Sequence, residues 1–390
     1  MATKGPEIPK QYRAVVYDSP GSISTKITTL DTPEPGPGEV LINMTHSGVC
    51  HSDLAVMTNG VCIFVPGAVL LRLNLTLIQR LTLLQWTSLP APTPKGQVGG
   101  HEGVGKVVKL GPGVESTGIK IGDRVGVKWI ASCCGRCEPC IVREDGLCFN
   151  QQISGYFTPG TFQQYVLGTA ACVTPIPEGL DSAIAAPMLC AGVTVYAALL
   201  HSQAKSGNWV VIAGAGGGLG HLACQLGSRA LGLRVIGVDD NSKADLVHSS
   251  GAEHFVDVRG FSSDEEMTTK IKNLTGGLGA HAVIVCTASP RAYAQSMGFL
   301  RFNGTVVCVG MVEGDEVPIA GAKPVQMISQ QLRIVGSAVG NQQHAIEVLD
   351  FAARGIIKPH VGVRKMEDLT EVFMDMKEGK LHGRVVLDLA

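Results

Sequence analysis

The sequence predicts an α/β protein: a β-rich, barrel-like region followed by a doubly wound parallel sheet. Two observations carry this. Residues 11–180 read as short apolar-alternating runs broken by Gly and Pro, the texture of strands joined by tight turns. From about Leu180, strand-like and helix-like runs alternate, which is the signature of βαβ units. The 49 glycines among 390 residues agree with both, since tight turns and close backbone approaches need a residue without Cβ.

The early strands are expected in YRAVVYD, EVLINMTHSGV, GVGKVVKLG, DRVGVKW and FQQYVLG. In the second region WVVIAGAG reads as a buried strand, LGHLACQLGSRAL as a helix, LRVIGVDD as a strand and NSKADLVHSSGA as a helix. HFVDV, HAVIVCT, GTVVCVG and LRIVGSAVG continue the strands, with helices near SSDEEMTTKIKNL and RAYAQSMGFLR. The final forty or so residues return to mixed helix and strand and end in GRVVLDLA.

Composition removes several classes. Apolar residues make up 45% and charged residues 17%, which excludes wholesale disorder. A net charge of −1 lacks the basic surface that nucleic acid or an anionic membrane requires, so no such partner is expected. MATKGPEIPKQYRAVV has charge and proline where a signal peptide would be apolar. A cytoplasmic location is therefore expected, with the twelve cysteines serving metal before disulfides. The apolar stretch 61–85 is broken by Pro66, Arg72, Asn74 and Arg80. Each charge at bilayer depth costs about 2.5–3.5 kcal/mol, so no span is expected there.

Three constellations carry chemistry. Cys134, Cys137, Cys140 and Cys148 are spaced to close a tetrahedron of sulfur around a structural Zn²⁺, with Cys133 left out by register. Cys50 in GVCHSDL, His101 in GGHEG and Cys190 in MLCAG offer two sulfurs and one nitrogen. That set leaves a fourth position open, as a catalytic zinc needs. The loop Gly214-Ala215-Gly216-Gly217-Gly218-Leu219-Gly220 follows a strand and opens a helix, the setting for a dinucleotide pyrophosphate. Leu219 falls in the third-glycine register of GxGxxG, and Gly220 comes one place later. Asp239, 19 residues past Gly220, can accept from a ribose 2′-OH and would repel a 2′-phosphate, and no arginine follows in DDNSK, which favours NAD over NADP.

With these residues in view, the chain resembles the zinc-dependent medium-chain alcohol dehydrogenases of yeast and filamentous fungi. The matching stretches are GVCHSDL, GGHEG, the four-cysteine lobe, APMLCAGVTVY, GAGGGLG, the strand ending at Asp239 and GRVVLDL. The resemblance implies a GroES-like catalytic domain over 1–184, with a structural zinc lobe at 134–148. It implies a Rossmann NAD-binding domain over 185–345 and a return segment over 346–390. It implies two zinc ions per subunit, NAD, a small alcohol or aldehyde substrate and a homotetramer. By matching position, Cys50, His101 and Cys190 hold the catalytic zinc, with Asp53 and Glu102 around them, and Ser52 takes the alcohol proton. His51 and Arg384 contact the pyrophosphate, Lys243 lies beside the adenosine ribose, and Trp86, Trp129 and Met311 line the substrate pocket. Many relatives carry a His in the proton relay where this chain has Ala55, so proton release is expected to run through water.

One segment does not fit the resemblance. Cys50 and His101 are 51 positions apart, further than in the family. Deleting the 25 residues 61–85 would bring Trp86 to eleven residues after Cys50, where the family has a pocket tryptophan. The segment reads as a translated, unspliced intron. Val61-Cys62 fits a GTATGY donor, Leu81-Thr82 a CTAAC branch point and Gln85 a CAG acceptor; the alternative is a genuine surface insertion, which loop closure tolerates but which would expose an apolar, aggregation-prone patch. The expected reaction is oxidation of small primary alcohols such as ethanol by NAD, and its reverse. The alternatives are a polyol or secondary alcohol dehydrogenase of the same family, or a product inactivated by the insertion.

Overall fold

The computed structural model describes residues 8–60, 91–312 and 318–390. Trp86 and residues 61–85 lie outside the described residues. The chain forms two compact units. One comprises Met1–Cys190, Asn341–Ala353 and Val361–Ala390, the other Ala191–Gly340 and Arg354–His360. The resemblance put the changes at 184/185 and 345/346; the contacts divide at 190/191 and 340/341, and a short piece of the return segment joins the second unit.

The first unit holds strands β1 (Gln11–Tyr17), β2 (Thr25–Asp31), β3 (Glu39–Val49), β4 (Glu102–Leu110), β5 (Arg124–Val127), β6 (Ile130–Ser132), β7 (Gln152–Ile153), β8 (Tyr165–Thr169) and β9 (Thr174–Pro175). The second holds β10 (Trp209–Ala213), β11 (Arg234–Asp239), β12 (His254–Asp257), β13 (Ala280–Val285), β14 (Leu300–Cys308) and β15 (Arg333–Gly336), and the chain then returns to the first with β16 (Val361–Lys365) and β17 (Arg384–Asp388). In the first unit a seven-stranded sheet runs β16-β17-β3-β4-β5-β9, with β8 also pairing β3. The long central β3 is antiparallel to β4, β8 and β17, so residues distant in sequence meet at its ends. The pairing of Gly48 with Glu102 puts Cys50 and His101 at the same end of the β3–β4 ladder.

In the second unit the order β12-β11-β10-β13-β14-β15 is parallel throughout. β10 (WVVIA) is buried at every position, as a strand covered on both faces must be. The order reverses between β10 and β13, and the glycine loop leaves β10 at that switch point, where open α/β sheets bind ligands. β2 was not legible in sequence: TKITTLD alternates between exposed and half-buried residues with no fully buried face, so no apolar pattern marks it.

Ser182–His201 is apolar and long enough to cross a membrane, yet 83% of its most apolar window is buried inside the protein. It is a core segment. The residues that flank 61–90 meet one another: Thr93 N–H donates to Asn59 Oδ1 at 2.8 Å, and Thr93 Oγ1 donates to the Val56 carbonyl at 2.7 Å. The chain thus leaves and returns to one place, so a shorter connection would serve the same closure.

The helix Leu369–Lys377 is tied to the first unit by Phe373, fully buried and packed edge-on against Phe162 with centroids 6.3 Å apart. Phe373→Ala should destabilise the protein by about 3–5 kcal/mol through lost burial and a residual cavity. Urea unfolding followed by tryptophan fluorescence measures it.

Candidate active site

Local structure explains how each candidate ligand arrives. Cys50 follows β3 and caps the helix α1 (His51–Met57), His101 immediately precedes β4, and Cys190 lies in a widened helical turn, Met188–Gly192. Such turns with an i→i+5 pattern are frequent at functional sites. Cys50 Sγ and Cys190 Sγ are 3.9 Å apart, and His101 Nε2 is 3.2 Å from Cys190 Sγ. At that separation the two sulfurs are not bonded to each other, a disulfide being about 2.05 Å long. They match the edge of a tetrahedron with Zn–S bonds of about 2.3 Å, which is ~3.8 Å. Ligand atoms of Cys50, His101, Glu102 and Cys190 all fall within 4.8 Å of one another, and all four residues are buried.

Asp53 organises this set. Its Oδ1 is 2.7 Å from His101 Nδ1 and its Oδ2 accepts from the Cys50 backbone N–H at 2.9 Å. A carboxylate on the far nitrogen fixes the imidazole tautomer so that Nε2 faces a metal. The Cys50 thiol is held well below its ordinary value, first by the hydrogen bond from Cys190 and against the burial that opposes its charge. Cys190 is correspondingly held well above. One buried thiolate poised beside a second sulfur is the donor chemistry a zinc ion takes up.

Glu102 adds a carboxylate that pairs with Arg384 on β17, with both side chains buried. Burial pushes Glu102 up to about 7, and Arg384 works against that rise. Glu102 Oε2 has no hydrogen-bond partner. Gly48 is obligatory beneath it, since a Cβ there would lie 1.9 Å from that oxygen. The Glu102–Arg384 pair was not foreseen in the sequence, although a charge inside each of two apolar strands is itself a sign of a buried partner.

The other expected residues distribute as follows. Ser52 Oγ lies 3.8 Å from Cys50 Sγ, and His51 is exposed at the start of α1. Trp129 meets the His101 ring edge-on, with centroids 4.8 Å apart. Met311 belongs to the second unit and is exposed. Ala55 packs against the core of the first unit.

Cys134, Cys137, Cys140 and Cys148 gather as the spacing required, with sulfur separations of 3.5, 3.8 and 3.7 Å along Cys140–Cys137–Cys148–Cys134. Backbone N–H groups of Cys134 and Asn150 both donate to Cys148 Sγ at 3.3 Å and work against the burial that raises this thiol. Among the described residues these two clusters are the groups able to hold a metal ion.

In the second unit the glycine loop folds back on itself. Gly214 has φ +81°. Leu219 precedes the helix α2 (Gly220–Gln225), and Gly220 fills the tight position: a Cβ there would lie 2.0 Å from the Gly214 carbonyl oxygen. The sequence reading put a glycine one place past the third-glycine register that Leu219 occupies, and the tight position does fall at Gly220, because the loop carries one more residue than GxGxxG. Asp239 Oδ2 accepts from Gly216 N–H at 2.7 Å, Lys243 Nζ is 3.8 Å from Oδ1, and Asp240 is paired with Arg259. Gly217 and Gly218 lie between these anchors. A carboxylate offers about four acceptor positions, so Asp239 retains capacity for a ribose hydroxyl.

His221, missed in the sequence, stiffens the loop from behind. Its Nδ1 donates to the Gly217 carbonyl at 2.8 Å and its Nε2 accepts from His360 N–H at 3.2 Å. Gly220→Ala should weaken NAD binding at least tenfold, because the clash is with backbone that cannot swing away. Gly217→Ala, where the nearest atom is 3.3 Å distant, should cost far less; titration of intrinsic fluorescence with NAD compares them.

Comparison with known proteins agrees with this geometry. Residues 36–178 match the alcohol dehydrogenase GroES-like domain, and residues 218–354 match the zinc-binding dehydrogenase family. The chain is 60% identical over 389 residues to Alcohol dehydrogenase 2 of Emericella nidulans, covering 99% of each. It is 41% identical to an alcohol dehydrogenase of Schizosaccharomyces pombe, covering 98% of each. Among solved structures, an NAD-dependent alcohol dehydrogenase superposes with a TM-score of 0.80 at 27% identity, covering 97% of this chain and 100% of that one. The acetophenone reductase of Geotrichum candidum in complex with NAD gives 0.76 at 26% identity, with 98% of each covered. This chain belongs to the zinc-type medium-chain alcohol dehydrogenases, in their fungal form.

Proposed function

We propose that the chain oxidises small primary alcohols of the ethanol class to aldehydes, with NAD as hydride acceptor, and runs the reverse reaction. The family sets the reaction, and the convergence of Cys50, His101 and Cys190 with an imidazole already oriented by Asp53 is the observation that carries its assignment to this site. Bound zinc supplies Lewis acidity that lowers the pKa of an oxygen ligand, and NAD supplies the hydride-accepting nicotinamide.

The remaining work falls to the protein. Cys50, His101 and Cys190 bind the metal, Asp53 keeps His101 Nδ1 protonated and Nε2 free to ligate, and Glu102 lends a second carboxylate. Ser52, two residues from Cys50, accepts the substrate proton at its Oγ and passes it outward. Ala55 offers no titratable group for a further relay, so water carries the proton from there. His51 and Arg384 contact the pyrophosphate, and Gly214, Gly216, Gly217, Gly218, Leu219 and Gly220 surround it. Asp239 and Lys243 hold the adenosine ribose.

Trp129 stands against His101 and narrows the space beside the metal. Trp86 and Met311 are the other positions that the resemblance assigns to substrate selection, in favour of short, unbranched alcohols. A homotetrameric, cytoplasmic enzyme is the form that the family resemblance favours. Residues 61–85 are a translated intron, a reading supported by the meeting of Thr93 with Asn59 and Val56 on either side of the segment. The chain lacking them is then the competent enzyme.

Two measurements decide these points. Both forms, with and without 61–85, are purified and assayed for zinc content and for NADH production across a series of alcohols. The shorter form should carry about two zinc ions per chain, with kcat/KM highest for ethanol and propanol; a rise toward branched secondary alcohols would refute the pocket assignment. Sequencing of mature transcripts should show the codons for 61–85 removed from most messages, and their retention in the majority would overturn the intron reading.

A further inference from the structure

Metal sites account for seven of the chain's cysteines. Two of the others, Cys133 and Cys172, face each other with their sulfurs 3.4 Å apart. This is closer than any sulfur pair within the two metal clusters for which a separation is given above, yet the pair is not built to hold a metal. It offers only two sulfurs, and the buried Lys128 places its ammonium alongside, donating to the Cys172 carbonyl at 2.8 Å and to Gln342 Oε1. Burial pulls Lys128 below its ordinary value; in its ammonium form it repels a metal cation and favours a thiolate.

The chain segments explain the approach. Cys133 directly follows β6, and Cys172 sits in the turn after β8, where its N–H donates to the Thr169 carbonyl at 2.8 Å. Neighbouring side chains on extended backbone point to opposite sides. Cys133 therefore faces Cys172, whereas Cys134 faces the lobe, its sulfur 3.7 Å from Cys148. The two functions sit side by side without sharing a sulfur. Cys133 is half-buried, and Cys172 lines a small cavity with Lys128, Ser154, Thr158 and Leu167.

We propose that Cys133 and Cys172 are a peroxide-oxidised dithiol, closing to a reversible disulfide beside the structural zinc lobe. The oxidant is hydrogen peroxide. The Cys172 thiolate attacks one peroxide oxygen, the O–O bond breaks, and the departing hydroxide takes a proton to become water, leaving a sulfenic acid on Cys172. The Cys133 sulfur then attacks the Cys172 sulfur. The S–S bond forms, the S–O bond breaks, and hydroxide leaves with the Cys133 proton as a second water. Two thiols and one peroxide thus give one disulfide and two waters. Cys172 is suited to the first step because the Cys133 thiol, donating to it, and Lys128 beside it pull it down to about 7 against burial.

The test uses the zinc-loaded full-length chain, freed of reductant and treated with a small molar excess of hydrogen peroxide. Remaining thiols are alkylated, and the digest is read by mass spectrometry. The expected product is a peptide containing Cys133 joined to one containing Cys172, lighter than the sum by two hydrogens and separated again by dithiothreitol, with zinc content unchanged. Cys133→Ser should stop the sequence at a sulfenic acid on Cys172 that dimedone traps, and Cys172→Ser should give neither product. The proposal is overturned if both thiols stay alkylatable while lobe cysteines oxidise and zinc is lost, or if Cys133 is found joined to Cys134 instead.

Discussion

The structure depends most on the need to hold several acidic groups together in a buried place. Cys50, Cys190, Asp53 and Glu102 converge where water is excluded, and none could ionise there alone. Arg384 gives Glu102 a positive partner, and His101 Nδ1–H donates to Asp53. A divalent zinc ion completes the balance. The antiparallel pairing of β3 with both β4 and β17 follows from this requirement, because it brings Cys50, His101, Glu102 and Arg384 to one end of one sheet.

Much of the site was legible because its parts have local signatures. Four cysteines within fifteen residues can be recognised without knowing the fold, and so can a glycine loop between a buried strand and a helix. Cys50, His101 and Cys190 are individually ambiguous; a single Cys or His is more often a core residue than a ligand. They became legible only as a set, through family resemblance, and the fold then accounts for their meeting.

What was not legible is non-local or unpatterned. No spacing rule links Glu102 to Arg384 or Cys133 to Cys172. Those pairs are made by strand pairing and turn geometry across many residues. β2 escaped because it buries neither face fully, and His221 because a histidine inside an apolar helix gives no hint of which carbonyl it will meet. The one-residue shift from Leu219 to Gly220 shows how backbone contact decides a register: the glycine is required where Gly214 O presses closest.

The Glu102–Arg384 pair also bears on how the molecule is made. Its partners are 282 positions apart, so on a translating ribosome the carboxylate emerges long before the guanidinium that will neutralise it. The first unit cannot reach its native burial while that partner is unsynthesised. The second unit has its sheet strands between those two positions, so it is free to fold cotranslationally, while the metal-binding half closes late around a nascent chain whose centre is already structured.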